Sequence, residues 1–296
     1  MRYFFGFSYK HVKICYYPNS TEKTRQPAII DTIKARCFVS TNRKKHMIVI
    51  KNKEALEKMR TAGQLLAQIM ETVQDKVKPG TSTLELDIFI EQNINKVGLK
   101  PECKGYIGYK HATLVSVNDV VIHGIPSKEI LLKSGDFIKI DVVGSYKGYC
   151  ADMTRPFFVG DINPVAHNMA RVAQQALDAA IAKIAPGVHL SDLSYAIQQV
   201  VERAGYGILR DFAGHGIGQS MHEAPDVFNY GPPGYGTILQ EGMTFALEPM
   251  ITEHSHDVFI MKDGWTVKTV DGGLGAHVED TVAVTKNGAE VFTRLT

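Results

Sequence analysis

The chain has 296 residues, of which 44% are hydrophobic and 22% are charged, and its formal net charge is +2 at pH 7. This balance excludes a disordered or fibrous protein and suits one large globular domain or two small ones. No run reaches the roughly 18 consecutive apolar residues that a membrane-spanning helix needs, so we expect no membrane association. The four cysteines form no CxxC pair, which argues against a zinc ribbon or a disulfide framework and favours the reducing cytoplasm.

The positive charge is concentrated at the start of the chain. Residues 1–46 carry ten Lys or Arg against Glu22 and Asp31, a net of +8, which leaves −6 for the remainder. No helical or strand period is sustained there, and we expect this basic extension to be partly disordered. Three interpretations stay open: an organelle transit peptide, an arm for transient ribosome association, or upstream sequence outside the protein, because Met47 offers a start of its own.

Two helices are predicted next. Apolar residues recur at three- and four-residue steps from Lys53 and stop before Pro79-Gly80, as in an amphipathic helix. Ser82 and Glu85 then form the pattern of a capping box, which predicts a second helix running towards Gly98.

The chain also shows an internal repeat. Four landmarks recur at an offset of 107 residues: Pro79-Gly80 as Pro186-Gly187, Gly98 as Gly205, Gly135 as Gly242, and Asp141 as Glu248. One Pro-Gly turn recurs easily by chance, but four matches at a single offset indicate a duplication. We therefore predict two α/β halves, residues 53–160 and 165–296, related by a pseudo-twofold axis with a shared site between them.

Residues 137–160 read as a β-hairpin around a turn bounded by Gly144 and Gly148. If the turn centres on Tyr146-Lys147, Asp141 pairs directly with Asp152, and their Cβ atoms lie about 5 Å apart. Two carboxylates so placed need a cation, because like charges disfavour one another. The plainer alternative is a pair of solvated acidic residues on a surface hairpin.

Three later segments supply more candidate ligands. In GHGIGQSMHEAP, His215 stands among glycines, which we expect to let its backbone and ring approach a ligand closely. FALEPM contributes Glu248, and in GAHVEDTVAVT the strand alternation turns Glu279 inward. Four carboxylates and one imidazole suit two divalent first-row ions. Such a pair, about 3.5–4 Å apart, lowers the pKa of a bridging water and polarises a carbonyl during hydrolysis.

With these segments in view, residues 47–296 resemble the methionine aminopeptidases of the type I, bacterial kind. The resemblance rests on the blocks VNDVVIHGIP, IDVVGSYKGYCADMTRPFFVG, GHGIGQSMHEAP, FALEPM and DGWTVKT. Only 26 positions separate His222 from Glu248, too few for the helical insertion of the type II enzymes. The resemblance implies a mixed α/β (α+β) pita-bread fold, with two halves around a curved antiparallel sheet. It also implies a hydrolase that removes the initiator methionine from nascent polypeptides whose second residue is small.

The resemblance assigns the candidate ligands to two metal ions. Asp152 and Glu279 would bridge the ions, Asp141 would chelate one of them, and His215 with Glu248 would complete the other. The sequence does not choose among Co, Mn, Fe, Zn and Mg, because carboxylate and imidazole sites accept all of these ions.

The resemblance assigns further residues to catalysis and substrate binding. His123 and His222 would hold the scissile peptide and stabilise the tetrahedral intermediate, and Glu248 would shuttle the proton. A methionine pocket would comprise Cys103, Tyr106, Tyr109, Met221 and Trp265, for which an ordinary core is the alternative. Ile107 and Leu114 replace the His and Cys that are common in the family near the substrate entrance, and their effect on substrate range is left open.

Two rival functions remain. A proline-directed peptidase of the aminopeptidase P or prolidase type shares the fold and ligand types, but such chains usually carry a large folded N-terminal domain, for which residues 1–46 are too short. A non-catalytic relative that associates with ribosomes or RNA through the basic extension would have lost ligands, whereas all five are present here. We expect a monomer.

Overall fold

A computed structural model describes residues 47–295, and the predictions for residues 1–46 lie outside this range. The described helices are α1 Lys53–Val73, α2 Thr83–Lys96, α3 Pro164–Ile181 and α4 Leu190–Arg203, with short 3₁₀ turns at Gln74–Lys76 and Tyr106–Gly108. The strands of the first half are β1 Lys100–Pro101, β2 Thr113–Val117, β3 Val120–Ile122, β4 Phe137–Tyr146 and β5 Tyr149–Phe158. Those of the second are β6 Gly207–Ile208, β7 Gly214–Gly216, β8 Glu223–Val227, β9 Thr244–Leu247, β10 Met250–Thr252, β11 Val258–Ile260, β12 Val267–Thr269, β13 Gly275–His277, β14 Glu279–Thr285 and β15 Gly288–Val291.

Both predicted helices of the first half are confirmed, and their starts follow from local capping. The Asn52 side chain accepts a hydrogen bond from the amide of Ala55 and so begins α1. At α2, the Ser82 hydroxyl accepts from the Glu85 amide while the Glu85 carboxylate accepts from the Ser82 amide, which is the predicted capping box. No helix within residues 47–295 combines the length and apolar character needed to cross a membrane.

The main sheet explains the predicted pseudo-twofold arrangement. Its nine antiparallel strands run in the order β1-β4-β5-β14-β9-β7-β8, with β2 also on β4 and β15 also on β14. The β5–β14 pair lies near the middle of this order and joins the halves, with β4 beside β5 and β9 beside β14. Smaller sheets, β13-β10-β6 and β11-β12-β3, extend the structure. The mixed helix and strand fold around a curved antiparallel sheet is therefore confirmed.

Each half buries its helices against its own part of the sheet. In the first half, Leu66 and Ile90 pack in one core with Ile140 of β4. In the second half, Leu177 and Phe245 belong to the equivalent core of α3, α4 and β9. Because strand side chains alternate, the helix-facing apolar residues turn their neighbours to the opposite face of the sheet, where the candidate site lies.

The predicted pairing of Asp141 with Asp152 is wrong. The turn consists of Lys147 and Gly148, whose φ angles of 49° and 79° are those of a two-residue hairpin turn. The turn is therefore one residue further along than expected, so Asp141 pairs with Thr154 and Asp152 pairs with Val143. The two carboxylates remain diagonal neighbours on one face, because a shift of two residues preserves the side of the sheet.

Candidate active site

A single cavity receives every residue that the sequence proposed for the site. Its lining includes the five candidate ligands, both candidate catalytic histidines and the whole candidate methionine pocket: Asp141, Asp152, His215, Glu248, Glu279, His123, His222, Cys103, Tyr106, Tyr109, Met221 and Trp265. The cavity lies on the sheet face opposite the helices. The structure therefore brings together residues that are separated by up to 176 positions in the chain.

The candidate ligands come from four strands and one strand end. Asp141 lies on β4, Asp152 on β5, His215 on β7 and Glu279 on β14, while Glu248 directly follows β9. Ligand atoms of Asp152, His215 and Glu279 all lie within 4.8 Å of one another. His215 Nε2 is 3.6 Å from Glu248 Oε1 and 3.9 Å from Asp152 Oδ2. These distances allow the side chains to share bound cations.

Burial changes the acidity of the four carboxyl groups. Burial raises the pKa of Asp141 to about 6, against the opposing effects of His277 and a hydrogen bond to Asp152. Burial, reinforced by the charge of Glu279, raises the pKa of Asp152 well above its usual range. Burial and neighbouring carboxylates likewise raise the pKa values of Glu248 and Glu279. Burial therefore favours the protonated forms of these carboxyl groups, and a bound cation would favour their ionised forms by compensating the charge.

The charge and tautomer of His215 suit a neutral metal ligand. Burial lowers its pKa to about 4, so the ring is uncharged at neutral pH. Its Nδ1 is 3.0 Å from the Gly216 carbonyl oxygen, an acceptor, which assigns the ring proton to Nδ1. The Nε2 lone pair is then directed towards the carboxylates, as in histidines that ligate metals.

The residues present fit a metal centre. Within residues 47–295, the buried atoms Asp141 Oδ1 and Asp152 Oδ1 have no hydrogen-bond partner. Unsatisfied buried oxygens are unfavourable, and a cation would satisfy both of them while neutralising the cluster. Four carboxylates and one imidazole form a donor set that suits divalent first-row ions.

Two threonines that the sequence analysis did not select hold the ligands in place. The Thr154 hydroxyl donates to Glu279 Oε2 at 2.9 Å. The Thr281 hydroxyl accepts from the Asp152 amide and donates to the Asp152 carbonyl, each at 2.8 Å. Strand alternation could have indicated both residues, because Thr154 shares a face with Asp152 and Thr281 shares a face with Glu279.

The glycines beside His215 were expected to let its backbone and ring approach a ligand, but the structure gives them a different role. A Cβ atom on Gly214 would lie 2.5 Å from the Ala246 carbonyl oxygen, and one on Gly216 would lie 2.2 Å from the Ala224 carbonyl oxygen. These glycines therefore allow neighbouring strands to approach the backbone of β7, and the predicted approach to a ligand does not explain them. His215 is positioned by this tight strand packing.

The two other histidines stand at the aromatic side of the cavity. His123 has a left-handed φ of 59°, an uncommon backbone conformation, and its ring lies 6.5 Å from that of Trp265. The His222 ring lies 4.4 Å from the His215 ring and 5.4 Å from the Tyr106 ring. Burial lowers the pKa of His123 to about 4 and that of His222 well below its usual range. Both rings are therefore neutral at pH 7.

The apolar end of the cavity suits an uncharged side chain. Cys103 and Tyr109 are both buried, and the Tyr109 hydroxyl is used in a 2.8 Å hydrogen bond to the Thr113 carbonyl. Burial raises the pKa of the Cys103 thiol well above its usual range, so it remains neutral. The Tyr109 and Trp265 rings lie 4.9 Å apart. This end therefore offers aromatic faces and sulfur without a net charge.

The two departures from the family pattern occupy different places. Leu114 lines the cavity and pairs with Asp141 in the sheet. Ile107 is 44% exposed and has a φ of 47°, which is unfavourable for a β-branched residue. The cavity lining also includes Phe212 and Asp226, which the sequence analysis did not select and which no motif indicated.

Comparison with known proteins identifies the class. The profile of metallopeptidase family M24 matches residues 57–286, and the chain belongs to this family. The methionine aminopeptidase of Clostridium acetobutylicum is 42% identical over 247 residues, which cover 83% of this chain and 99% of that relative.

Solved structures support the same conclusion. A methionine aminopeptidase from Thermotoga maritima has a TM-score of 0.83 and 41% identity, covering 84% of this chain and 100% of that chain. An Xaa-Pro dipeptidase from Bacillus anthracis has a TM-score of 0.66 and 25% identity, covering 83% of this chain and 62% of that chain. The predicted resemblance to methionine aminopeptidases is confirmed.

Proposed function

We propose that this protein is a methionyl aminopeptidase that removes the initiator methionine from nascent polypeptides whose second residue is small. The observation that carries the proposal is the convergence of four carboxylates and an imidazole with a neutral, aromatic and sulfur-containing pocket in one cavity. We assign the activity to residues 47–296, which contain all of these groups.

We assign two divalent metal ions to the carboxylate cluster. Asp152 and Glu279 would bridge them, Asp141 would hold one, and His215 with Glu248 would hold the other. Five donors, four of them carboxylates able to offer two oxygens, exceed what one four-coordinate ion uses. When bound, the ions supply an activated water and polarise the scissile carbonyl. Their identity among Co, Mn, Fe, Zn and Mg depends on supply as well as on the ligands.

We assign proton transfer to one side chain of the cluster and substrate stabilisation to the two neighbouring histidines. The Glu248 carboxyl group, whose pKa is raised by burial and by Asp141, is suited to accept a proton from water and return it to the leaving amine. Neutral His222 would donate a hydrogen bond to the oxyanion that forms on the carbonyl, and neutral His123 would hold the scissile peptide.

Methionine selectivity follows from the apolar end of the cavity. Cys103 and Met221 offer polarisable sulfur, and the faces of Tyr109 and Trp265 suit a flexible thioether. A charged side chain would lose its hydration there without gaining a partner. We infer that a bulky second residue is excluded because the cluster is recessed in the sheet.

The expected partners are nascent chains. A basic extension of net charge +8 is suited to transient contact with ribosomal RNA, and a monomer in the cytoplasm would be sufficient for this activity.

The decisive experiment compares peptides that differ in one position. Protein purified anaerobically, with its metal content measured, should cleave Met-Ala-Ser and Met-Gly peptides but act poorly on Met-Lys and Leu-Ala peptides. A preference for Xaa-Pro peptides would support the prolidase-type rival. Absence of turnover with any peptide, in protein that is folded and binds metal, would favour the non-catalytic rival.

A further inference from the structure

A buried histidine lies behind the carboxylate cluster. His277, at the end of β13, is 2% exposed and does not line the cavity. Its Nε2 is 3.3 Å from Glu248 Oε2 but has no aligned hydrogen bond within residues 47–295. Buried polar atoms are nearly always satisfied, so this nitrogen requires an explanation.

The internal repeat places His277 at a site position. The Val159 amide donates to the Asp136 carbonyl, and the Val284 amide makes the same bond to Met243, the residue 107 positions after Asp136. Val159 and Val284, which are 125 residues apart, are therefore equivalent. Counted back along the chain from these two valines, Thr154 corresponds to Glu279 on β14, and Asp152 corresponds to His277 at the end of β13. His277 thus occupies the position in the second half that a candidate metal ligand occupies in the first.

The surroundings of His277 favour contact with a metal-ligating side chain over direct contact with a metal ion. All five proposed ligands line the cavity, whereas His277 does not. Glu248 lies between two imidazoles, with Oε1 facing His215 at 3.6 Å and Oε2 facing His277 at 3.3 Å. Each oxygen of this carboxylate therefore has its own neighbour.

We propose that His277 is a positioning residue that donates a hydrogen bond from Nε2 to Glu248 Oε2 and so keeps Oε1 directed towards His215. A small rotation of either side chain would align the bond, and catalytic hydrogen bonds are often poorly aligned until ligands bind. The proposal rests on the proposed role of Glu248 as a metal ligand. Outer hydrogen-bond partners of this kind orient ligands and strengthen metal binding.

The test uses Co²⁺ as the probe and two substitutions. His277→Leu removes the donor at similar volume, and we expect its Co²⁺ affinity, measured by calorimetry, to fall about 10–100-fold. His277→Gln keeps an amide donor, and we expect it to retain the affinity within about threefold and to preserve the visible absorption spectrum of bound Co²⁺. Thr252→Val is the matched control, because it removes another unpartnered buried polar atom from the strand beside β13. Its Co²⁺ affinity should be unchanged.

Circular dichroism establishes that each variant is folded. If His277→Leu is unfolded, His277→Asn replaces it, because the shorter amide should not reach Glu248 and should weaken binding equally. Wild-type affinity in the folded Leu or Asn variant would overturn the proposal. A shifted Co²⁺ spectrum in His277→Gln would also overturn it, because the imidazole would then be a ligand itself. Glu248→Gln is measured in parallel: unchanged Co²⁺ binding there would show that the ligand assignment of Glu248 has failed.

Discussion

The first and second halves of the molecule can be compared residue by residue. Helices α2 and α4 each contain 14 residues and begin 107 residues apart. The glycines before them, Gly80 and Gly187, have φ angles of 91° and 92°, and the glycines after them, Gly98 and Gly205, have 80° and 81°. Both halves need these left-handed positions, which favour glycine. The repeat therefore preserves the residues that fix the backbone.

At the centre of the sheet, the residue types at equivalent positions of the two halves differ. Asp141 and Glu248 are equivalent and both acidic, but Thr154 is equivalent to Glu279, and its hydroxyl donates to that carboxylate. A symmetrical backbone thus presents an asymmetrical set of donors. We infer that the two proposed ions have unequal surroundings. The predictions below test which residues of each half contribute to metal binding and catalysis.

The largest effect is expected from the carboxylates at the junction of the halves. Asp152→Asn or Glu279→Gln should abolish turnover, because each is proposed to bridge both ions. Peptide cleavage and metal stoichiometry should be measured together. Asp226→Asn, which alters a carboxylate that lines the same cavity but is not a proposed ligand, should retain metal binding. Near-normal activity of either bridging variant at saturating metal would rule out the dinuclear arrangement.

A smaller loss is expected at His222, which belongs to the second half but is not a proposed ligand. His222→Ala should lower kcat and kcat/KM together by roughly 10²–10³-fold, the effect of losing one oxyanion donor. Its metal content should equal that of the wild type. A lost metal ion would show instead that His222 is a ligand.

Metal binding should depend on pH in a direction that the carboxylates set. The pKa of Asp141 is raised from 3.8 to about 6, so its contribution to the stability of the protein without metal is present below about pH 4 and is lost as pH rises through about 6. Metal must displace those protons, whereas His215, with a pKa of about 4, is already neutral. The rise in Tm produced by saturating Mn²⁺ should therefore be larger at pH 7.5 than at pH 5.

Proton release provides an independent measurement of the same effect. Calorimetry at pH 6 in two buffers of different ionisation enthalpy should show that Mn²⁺ binding releases protons. Metal removed by a chelator and then restored serves as the control. A larger Tm increase at pH 5, or no proton release, would contradict the raised carboxyl pKa values.

The features that sequence alone predicted are those with local causes. The capping box at Ser82 and the helix ends at Gly98 and Gly205 depend on neighbouring residues, so a single sequence contains the necessary information. The hairpin, the glycine-rich segment and strand alternation indicated the five candidate ligands, and the family resemblance added their roles, the two histidines and the methionine pocket. The register of the β4–β5 hairpin was wrong because glycine-bounded turns allow more than one centre, and Lys147 adopts a positive φ that its residue type does not indicate.

The features that sequence missed depend on contacts between distant segments. His277 stands out only when its distance from Glu248 is known. Lys139 is another example: it is 1% exposed, its ammonium donates to the Asn118 carbonyl, and burial lowers its pKa to about 7. A lysine in a strand is normally expected at the surface, and no local pattern indicates that this ammonium contacts the loop between β2 and β3.

The smallest effect is expected from removing residues 1–46, because every candidate ligand lies between Asp141 and Glu279. A chain that begins at Met47 should show the same kcat/KM on short peptides as the full chain, at low and at high salt. Testing both conditions matters because a +8 extension could contact the −6 remainder, and salt would weaken that contact.

The point at which truncation becomes harmful should lie just beyond Met47. Lys51 is buried, and its ammonium lies 2.6 Å from the carboxylate of Glu223, the residue next to His222. Its backbone amide also donates to the Gly242 carbonyl. A chain beginning at Lys53 loses both contacts and leaves Glu223 without its cation, so we expect lower stability and lower activity. Lys51→Met, compared with the exposed control Lys53→Met, isolates the ion pair from the shortening. The truncation at Met47 has its own contradicting outcome. If the chain that begins at Met47 folds and binds metal but does not cleave Met-Ala-Ser, residues 1–46 help to form the site.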